Sequence, residues 1–185
     1  LAHELGGCAG IDWVSVTDNA GGNPMLAAPA LGGLLRAAGR EVVIHLSGKD
    51  FNRHGIESEA WRLASEGFRN LLVLSGDYPG KGIAGGGKPV FDVDSVGILD
   101  LLGRRSAGLD VTRPGGSPAR LAPAEFFPGA VVTNFKLHEN EVIPQLLKME
   151  RKLAAGARFL INQIGYDSRK CSELIAWLRR RGHGS

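Results

Sequence analysis

The chain has 185 residues, 43% of them hydrophobic and 22% charged, and a formal net charge of +3, which is typical of one globular domain with a hydrophobic core. The weak, scattered positive charge argues against nucleic acid as a partner, and no stretch approaches the ~20 apolar residues of a membrane-spanning helix. Its two cysteines, Cys8 and Cys171, lie far apart in sequence, which argues against a disulfide framework or a zinc site, so we expect reduced thiols in a cytoplasmic protein.

Five short apolar runs rich in β-branched residues predict β-strands at 11–17, 41–47, 70–76, 129–135 and 158–165. The sequence after each strand predicts helices over 25–39, 57–67, 93–103, 140–156 and 168–182. Asp94 or Ser95 is placed to cap the third helix, and Gly67 to end the second. Three of the four intervals between strand starts are about 30 residues, the length of one strand–helix unit.

This alternation predicts a parallel sheet covered by helices on both faces. Two α/β architectures fit: an open doubly wound sheet, and a partial (βα)8 barrel of the TIM-barrel type. Residues 1–185 are interpreted as one domain with a loop insertion at about 104–128, where proline and glycine argue against regular structure. In both architectures the functional residues collect at the C-terminal ends of the strands.

Polar residues stand at the end of every predicted strand, namely Thr17 and Asp18, His45 and Ser47, Ser75 and Asp77, Asn134, and Gln163. Because hydrophobic cores avoid unpaired polar atoms, we expect these groups to form a polar cup at one rim of the sheet. Each has a structural explanation as well: Asp77 could form a turn or a cap, and His45 could be a hydrogen-bonded core residue. The glycine-rich segment 82–89 lacks the spacing of a phosphate-binding loop.

Four segments, SVTDNAGG, VVIHLSGKD, LVLSGDYP and KLAAGARFLINQIGYD, resemble the methylenetetrahydrofolate reductase family of flavin-dependent (βα)8 barrels. The most specific are the strand that ends in Gly76-Asp77 and the Ala-Gly-Ala turn into the strand of Gln163. The resemblance favours the barrel, with the five strands as the second to sixth of eight. It places the general-acid glutamate on a first strand that is not among these residues, so we expect trimmed ends or a longer polypeptide.

The resemblance implies an oxidoreductase that reduces 5,10-methylenetetrahydrofolate to 5-methyltetrahydrofolate, with FAD in preference to FMN and NADH or NADPH as electron donor. It assigns catalytic roles to Asp77 and Gln163. Folate contacts are implied for Thr17, Asp77, Gln163 and Tyr166. Cofactor contacts are implied for Thr17, His45, Leu74, Ser75, Gly76, Asp77, Phe135 and Lys152. No metal ligand is expected.

Other functions stay open. One is a folate-binding homologue without flavin, which takes part in methyl transfer or demethylation. Another is a non-catalytic subunit that binds folate, with a homo-oligomer or a further subunit or domain as its partner. A third, an open-sheet nucleotide-binding domain, is disfavoured because no glycine fingerprint follows the first strand.

Overall fold

The computed structural model describes residues 2–78 and 87–183, so residues 82–86 of the glycine-rich segment lie outside the described part. The helices are α1 (Ala2–Gly7), α2 (Ala28–Ala37), α3 (Arg53–Ser65), α4 (Ser95–Ala107), α5 (Glu139–Ala154) and α6 (Ser168–Arg180). The strands are β1 (Trp13–Val16), β2 (Glu41–Ser47), β3 (Asn70–Leu74), β4 (Leu109–Thr112), β5 (Pro118–Leu121), β6 (Phe127–Val132) and β7 (Phe159–Asn162). Within these ranges, no helix combines the length and the apolar character needed to cross a bilayer.

All five predicted strands are present, and they form one parallel sheet in the order β1-β2-β3-β6-β7. Each strand lies beside the strand of this sheet that precedes it in the chain. An open doubly wound sheet reverses that order at its switch point, so this alternative is wrong. The fold is a mixed α/β fold with a curled, parallel half-barrel sheet.

The main core lies between the sheet and the helices on its outer side. Ile44 of β2, with Leu71 and Val73 of β3, packs in one cluster with Leu99 and Leu102 of α4. A second cluster joins β6 to α5 and α6 through Val132, Val142, Leu146, Met149 and Leu174. The strand residues that alternate with these core residues line an open cleft, so the predicted helical cover on both faces is wrong.

Two predicted helix boundaries are confirmed. The Asp94 side chain caps α4 by accepting hydrogen bonds from the backbone N–H groups of Val96 (3.1 Å) and Gly97 (3.0 Å). Gly67 follows α3 with a φ of 76°, the left-handed conformation that commonly ends a helix. Helix α3 begins earlier than predicted because Asn52 caps it, accepting from the backbone N–H of Gly55 at 2.9 Å.

The insertion at 104–128 is regular, which corrects the predicted loop. Helix α4 continues to Ala107, and β4 and β5 then pair as an antiparallel hairpin. Gly115 and Gly116 form its turn with positive φ values, so the glycines make the hairpin possible. The backbone N–H of Ala124 then donates to the Arg105 carbonyl at 3.1 Å, which ties the hairpin to the C-terminal end of α4.

Candidate functional site

An open cleft of 570 Å³ lies on the concave side of the sheet and extends over the ends of β3 and β6. Its floor is formed by inward-facing side chains, among them Leu72, Val131 and Ile161. Its polar residues come from all five strands of the sheet or their ends and from two helices. They are Ser15, His45, Ser75, Asp77, Ser95, Thr133, Gln145, Lys148, Lys152 and Gln163. A cavity of this size and mixed lining is typical of a small-molecule site.

Asp77 and Gln163 reach the cleft from the ends of different strands. Asp77 follows β3 by three residues, and Gln163 directly follows β7, where its backbone N–H still donates to the Val132 carbonyl at 2.8 Å. Both side chains are exposed, and neither makes a hydrogen bond within the described part of the chain. A carboxylate and an amide are therefore free to bind a ligand from two sides of the cleft.

Gly76 marks the point where β3 leaves the sheet. Its φ is 91°, and a Cβ added there would overlap the Ser47 Oγ and would come within 2.8 Å of the Lys49 Cβ. The glycine is needed because the chain passes closely over the end of β2. This gives a structural reason for Gly76 that does not involve a bound cofactor.

An ion pair of the buried Lys49 lies at the adjoining rim. Lys49 is only 2% exposed and its ammonium pairs with the Asp50 carboxylate, which also accepts from Asn19 Nδ2 at 3.1 Å. Burial raises the pKa of the neighbouring Asp18, and the positive charge of Lys49 opposes this shift only in part. Asp18 lies in a separate pocket with Glu59, outside the main cleft.

His45 lies on the cleft side of β2 and is paired with its neighbour on β1. The Ser15 Oγ and the His45 Nε2 are 2.6 Å apart. Burial lowers the pKa of the His45 imidazole, so its neutral form is favoured. A neutral imidazole can accept or donate a hydrogen bond without adding positive charge to the cleft.

Ser75 is occupied by a contact within the protein. Its Oγ accepts from the Ser95 backbone N–H at 3.2 Å and donates to the Ser95 Oγ at 3.3 Å. These bonds attach the end of β3 to the start of α4. Ser75 therefore shapes the wall of the cleft.

Two lysines of α5, one helical turn apart, enter the same cleft. The Lys152 Nζ donates to the Val131 carbonyl at 2.6 Å, and burial followed by the charge of Lys148 lowers the pKa of the Lys152 ammonium. Lys148 is more exposed and lies 3.7 Å from the Asp94 carboxylate.

Seven of the ten predicted site residues line this cleft: His45, Leu74, Ser75, Gly76, Asp77, Lys152 and Gln163. Thr17 is exposed beyond β1, and Tyr166, which is 96% exposed, also lies outside the cleft lining. Phe135 packs against Gly165, where no Cβ would fit beside its ring. The structure thus does not bring these three residues into the cleft.

Asn134 also departs from the expected polar cup. It is buried, and its Nδ2 donates to the Lys170 carbonyl of α6 at 2.8 Å. It therefore joins a strand end to a helix on the outer side of the sheet.

Several cleft residues were missed by the sequence interpretation. Ser15 and Trp13 alternate along β1, and this period of two was a signal that they share the inner face. Gln145 and Lys148 precede the predicted Lys152 by seven and four residues on α5, and this spacing places all three on one side of the helix. Among the described residues, no group of three or more His, Cys, Asp or Glu side chains is arranged to hold a metal ion.

Comparisons with known proteins support the fold. No protein-family model matches the chain, and no curated protein matches it. A solved structure is similar over 98% of this chain and 56% of its own, with a TM-score of 0.61 and 11% sequence identity. It is described as an uncharacterized protein from Clostridium thermocellum that binds two copies of 5-methyl-5,6,7,8-tetrahydrofolic acid.

These findings correct the predicted family. The assignment to methylenetetrahydrofolate reductases is wrong, because neither a family model nor a curated member matches, and the similar structure is of a protein without assigned activity. The resemblance rested on short segments at strand ends. Contacts within the chain also account for part of such a segment, as the steric requirement at Gly76 shows, and a shared fold does not imply a shared function.

Replacement of Gly76 by alanine is predicted to destabilise the fold. The added Cβ must displace Ser47 or Lys49, so we expect Gly76→Ala to lower the free energy of unfolding by ~1–3 kcal/mol more than Gly116→Ala does. Gly116 is the matched control because its φ is also positive, 86°, while no atom lies within 4 Å of its added Cβ. Urea unfolding measures the free energy of unfolding of both variants. Equal losses would show that the predicted overlap with Ser47 and Lys49 does not determine the stability.

His45 is predicted to make stability depend on pH. Its pKa is lower in the folded protein than the ordinary value of 6.5, so the unfolded chain binds more protons between the two values. Stability should therefore fall as the pH drops below 6.5 through this window. Urea unfolding at pH 7.5 and 5.5 (~two units apart) should show a smaller difference for His45→Gln than for the unsubstituted protein.

The control for this measurement is His54→Gln, which removes an exposed histidine from α3. It should retain the pH dependence of the unsubstituted protein. If His45→Gln and His54→Gln respond alike, the His45 imidazole does not account for the effect.

Proposed function

We propose that this protein binds a reduced folate, with the pterin ring in the cleft between Asp77 and Gln163. The observation that carries the proposal is the pair of free polar side chains, a carboxylate and an amide, facing one cleft. The folate bound by the structurally similar protein supports this choice of ligand. That protein shares only 11% sequence identity with this chain and is matched over 56% of its length, so the likeness shows the fold alone. The proposed ligand therefore rests mainly on the chemistry of the cleft.

The pterin edge suits these two side chains. It presents N–H donors beside a carbonyl and ring-nitrogen acceptor. The Asp77 carboxylate would accept from the donors, and the Gln163 amide can both donate and accept. The apolar floor of Leu72, Val131 and Ile161 would contact the face of the ring, where burial of apolar surface adds to affinity.

The chemistry that follows binding is a separate proposal. The simplest role is to hold a folate without flavin, for methyl transfer, demethylation, or delivery to a partner protein. Asp77 favours chemistry at the one-carbon unit, because a carboxylate held beside that unit would stabilise positive charge that develops on it. His45, kept neutral by burial, would add no opposing positive charge.

Flavin-dependent reduction of the one-carbon unit is the second candidate. The apolar floor and the two lysines of α5 fit a flat ring that carries phosphates. When bound, FAD would supply the hydride, with NADH or NADPH as its source. Leu74, at the end of β3, would contact the ring, and Asp77 would orient the folate.

Folate binding is predicted to depend on both polar side chains. In a calorimetric titration with 5-methyltetrahydrofolate, Gln163→Ala should raise Kd by about tenfold and Asp77→Asn by at least about tenfold. Tyr166→Ala is the control, since Tyr166 lies outside the cleft, and it should change Kd by less than about twofold. No measurable binding to the unsubstituted protein would refute the proposal.

An absorption spectrum separates the two kinds of chemistry. A purified protein that binds FAD would show the flavin bands in the visible range, and these bands should bleach on addition of NADH or NADPH. A colourless protein that takes up no added FAD, yet binds folate, would support the role without flavin and would exclude the reductase chemistry.

A further inference from the structure

We infer that the lysine pair Lys148 and Lys152, together with Gln145, binds the carboxylates of the glutamate tail of the folate. This inference rests on the proposed function. It sets the orientation of the bound folate, with the pterin at Asp77 and Gln163 and the glutamate tail at α5. It also names the feature of the ligand that the lysines would recognise.

The position of Lys152 follows from the way two strands separate. Pairing between β3 and β6 ends at Val73 and Ala130. The next carbonyl of β6, that of Val131, accepts from the Lys152 Nζ at 2.6 Å. The ammonium group therefore lies at the opening between the two strands, on the wall of the cleft.

The positive charge at this end is only partly neutralised. Among the described residues, Lys152 has no carboxylate within ion-pair distance, and its hydrogen-bond partner is an uncharged carbonyl. Lys148 has one acidic neighbour, Asp94, at 3.7 Å, and both side chains are about half exposed, at 45% and 55%. A long, solvated ion pair of this kind contributes little stability. Lys148 thus has one loosely held carboxylate as a partner, and Lys152 has none among the described residues.

Burial makes this arrangement costly for the free protein. Burial and the like charge of Lys148 both lower the pKa of Lys152, and Asp94 opposes them only in part. An anionic group at this end of the cleft would remove that penalty. Gln145, which makes no side-chain hydrogen bond within the described residues, adds an uncharged donor beside the lysines.

The chemistry of a folate matches this need. Its pterin is joined through an aminobenzoyl group to glutamate, which carries two carboxylates at the far end of the molecule. Further γ-linked glutamates add one carboxylate each. A ligand anchored by its pterin at Asp77 and Gln163 would lie along the apolar floor and present this charge to α5. The polyglutamate forms are therefore the ligands that this cleft should prefer.

The test compares ligands with and without the tail. Calorimetric titrations use 5-methyltetrahydrofolate as the monoglutamate, its triglutamate form, and 6-methyltetrahydropterin, which lacks the tail. For the unsubstituted protein, affinity should rise from the pterin to the monoglutamate to the triglutamate. Lys148→Gln should weaken binding of the monoglutamate by about fivefold and of the triglutamate by more, while pterin affinity stays within about twofold.

Arg151→Gln is the matched control. It removes one positive charge from the same helix, but Arg151 lines a different surface pocket and not the cleft. It should leave all three affinities within about twofold of the original. Because Lys152→Gln removes a hydrogen bond from β6 and could impair folding, Lys148→Gln and Gln145→Leu carry the test.

The outcomes separate this inference from the proposed function. One outcome is that folates bind while Lys148→Gln lowers the affinity for the tail-less pterin as much as for the triglutamate, or lowers neither affinity. Either result shows that the tail site is wrong, and folate binding as such is then still supported. If no folate or pterin binds to the unsubstituted protein, the proposed function fails first. An affinity of the unsubstituted protein that does not increase with the number of glutamates also overturns the inference.

Discussion

The strands of the sheet lie side by side in chain order, and the crossovers between parallel strands are right-handed. When every crossover advances in the same direction, the helices gather on one side and the sheet curls away from them. The C-terminal ends of all five strands then lie along one rim. The other side of the sheet is left to a cleft, and the residues that alternate with the core become its lining.

The cleft is held in shape by contacts that cross between strands and helices. Gly76 lets β3 pass over Ser47 and Lys49, and Ser75 attaches the same segment to the first residue of α4. Lys152 then satisfies the carbonyl that becomes free where β3 and β6 part. The Asp77 and Gln163 side chains make no hydrogen bond among the described residues, so their polar atoms face the cleft unpaired.

The strands and several boundaries could be predicted because local chemistry determines them. β-branched runs, the Asp94 cap and the Gly67 stop each depend on a few neighbouring residues. The hairpin of β4 and β5 was missed because its proline and glycines are read as breakers until their pairing partner is known. The strand ends pointed to Asp77 and Gln163, whereas Lys148 and Gln145 depend on which side of α5 meets the gap between two strands. No local pattern encodes that gap.

The β4–β5 hairpin has a consequence for how this fold can vary. It is attached to the end of α4 that is remote from the rim. Its turn at Gly115 and Gly116 projects into open space, where a Cβ added to either glycine would have no atom within 4 Å. Sequence change or extension at that tip would leave the lining of the cleft unchanged. It would also cost little stability, since loop closure becomes only slightly less favourable as a loop lengthens. The tip of the hairpin is thus free to change in sequence and length independently of the cleft.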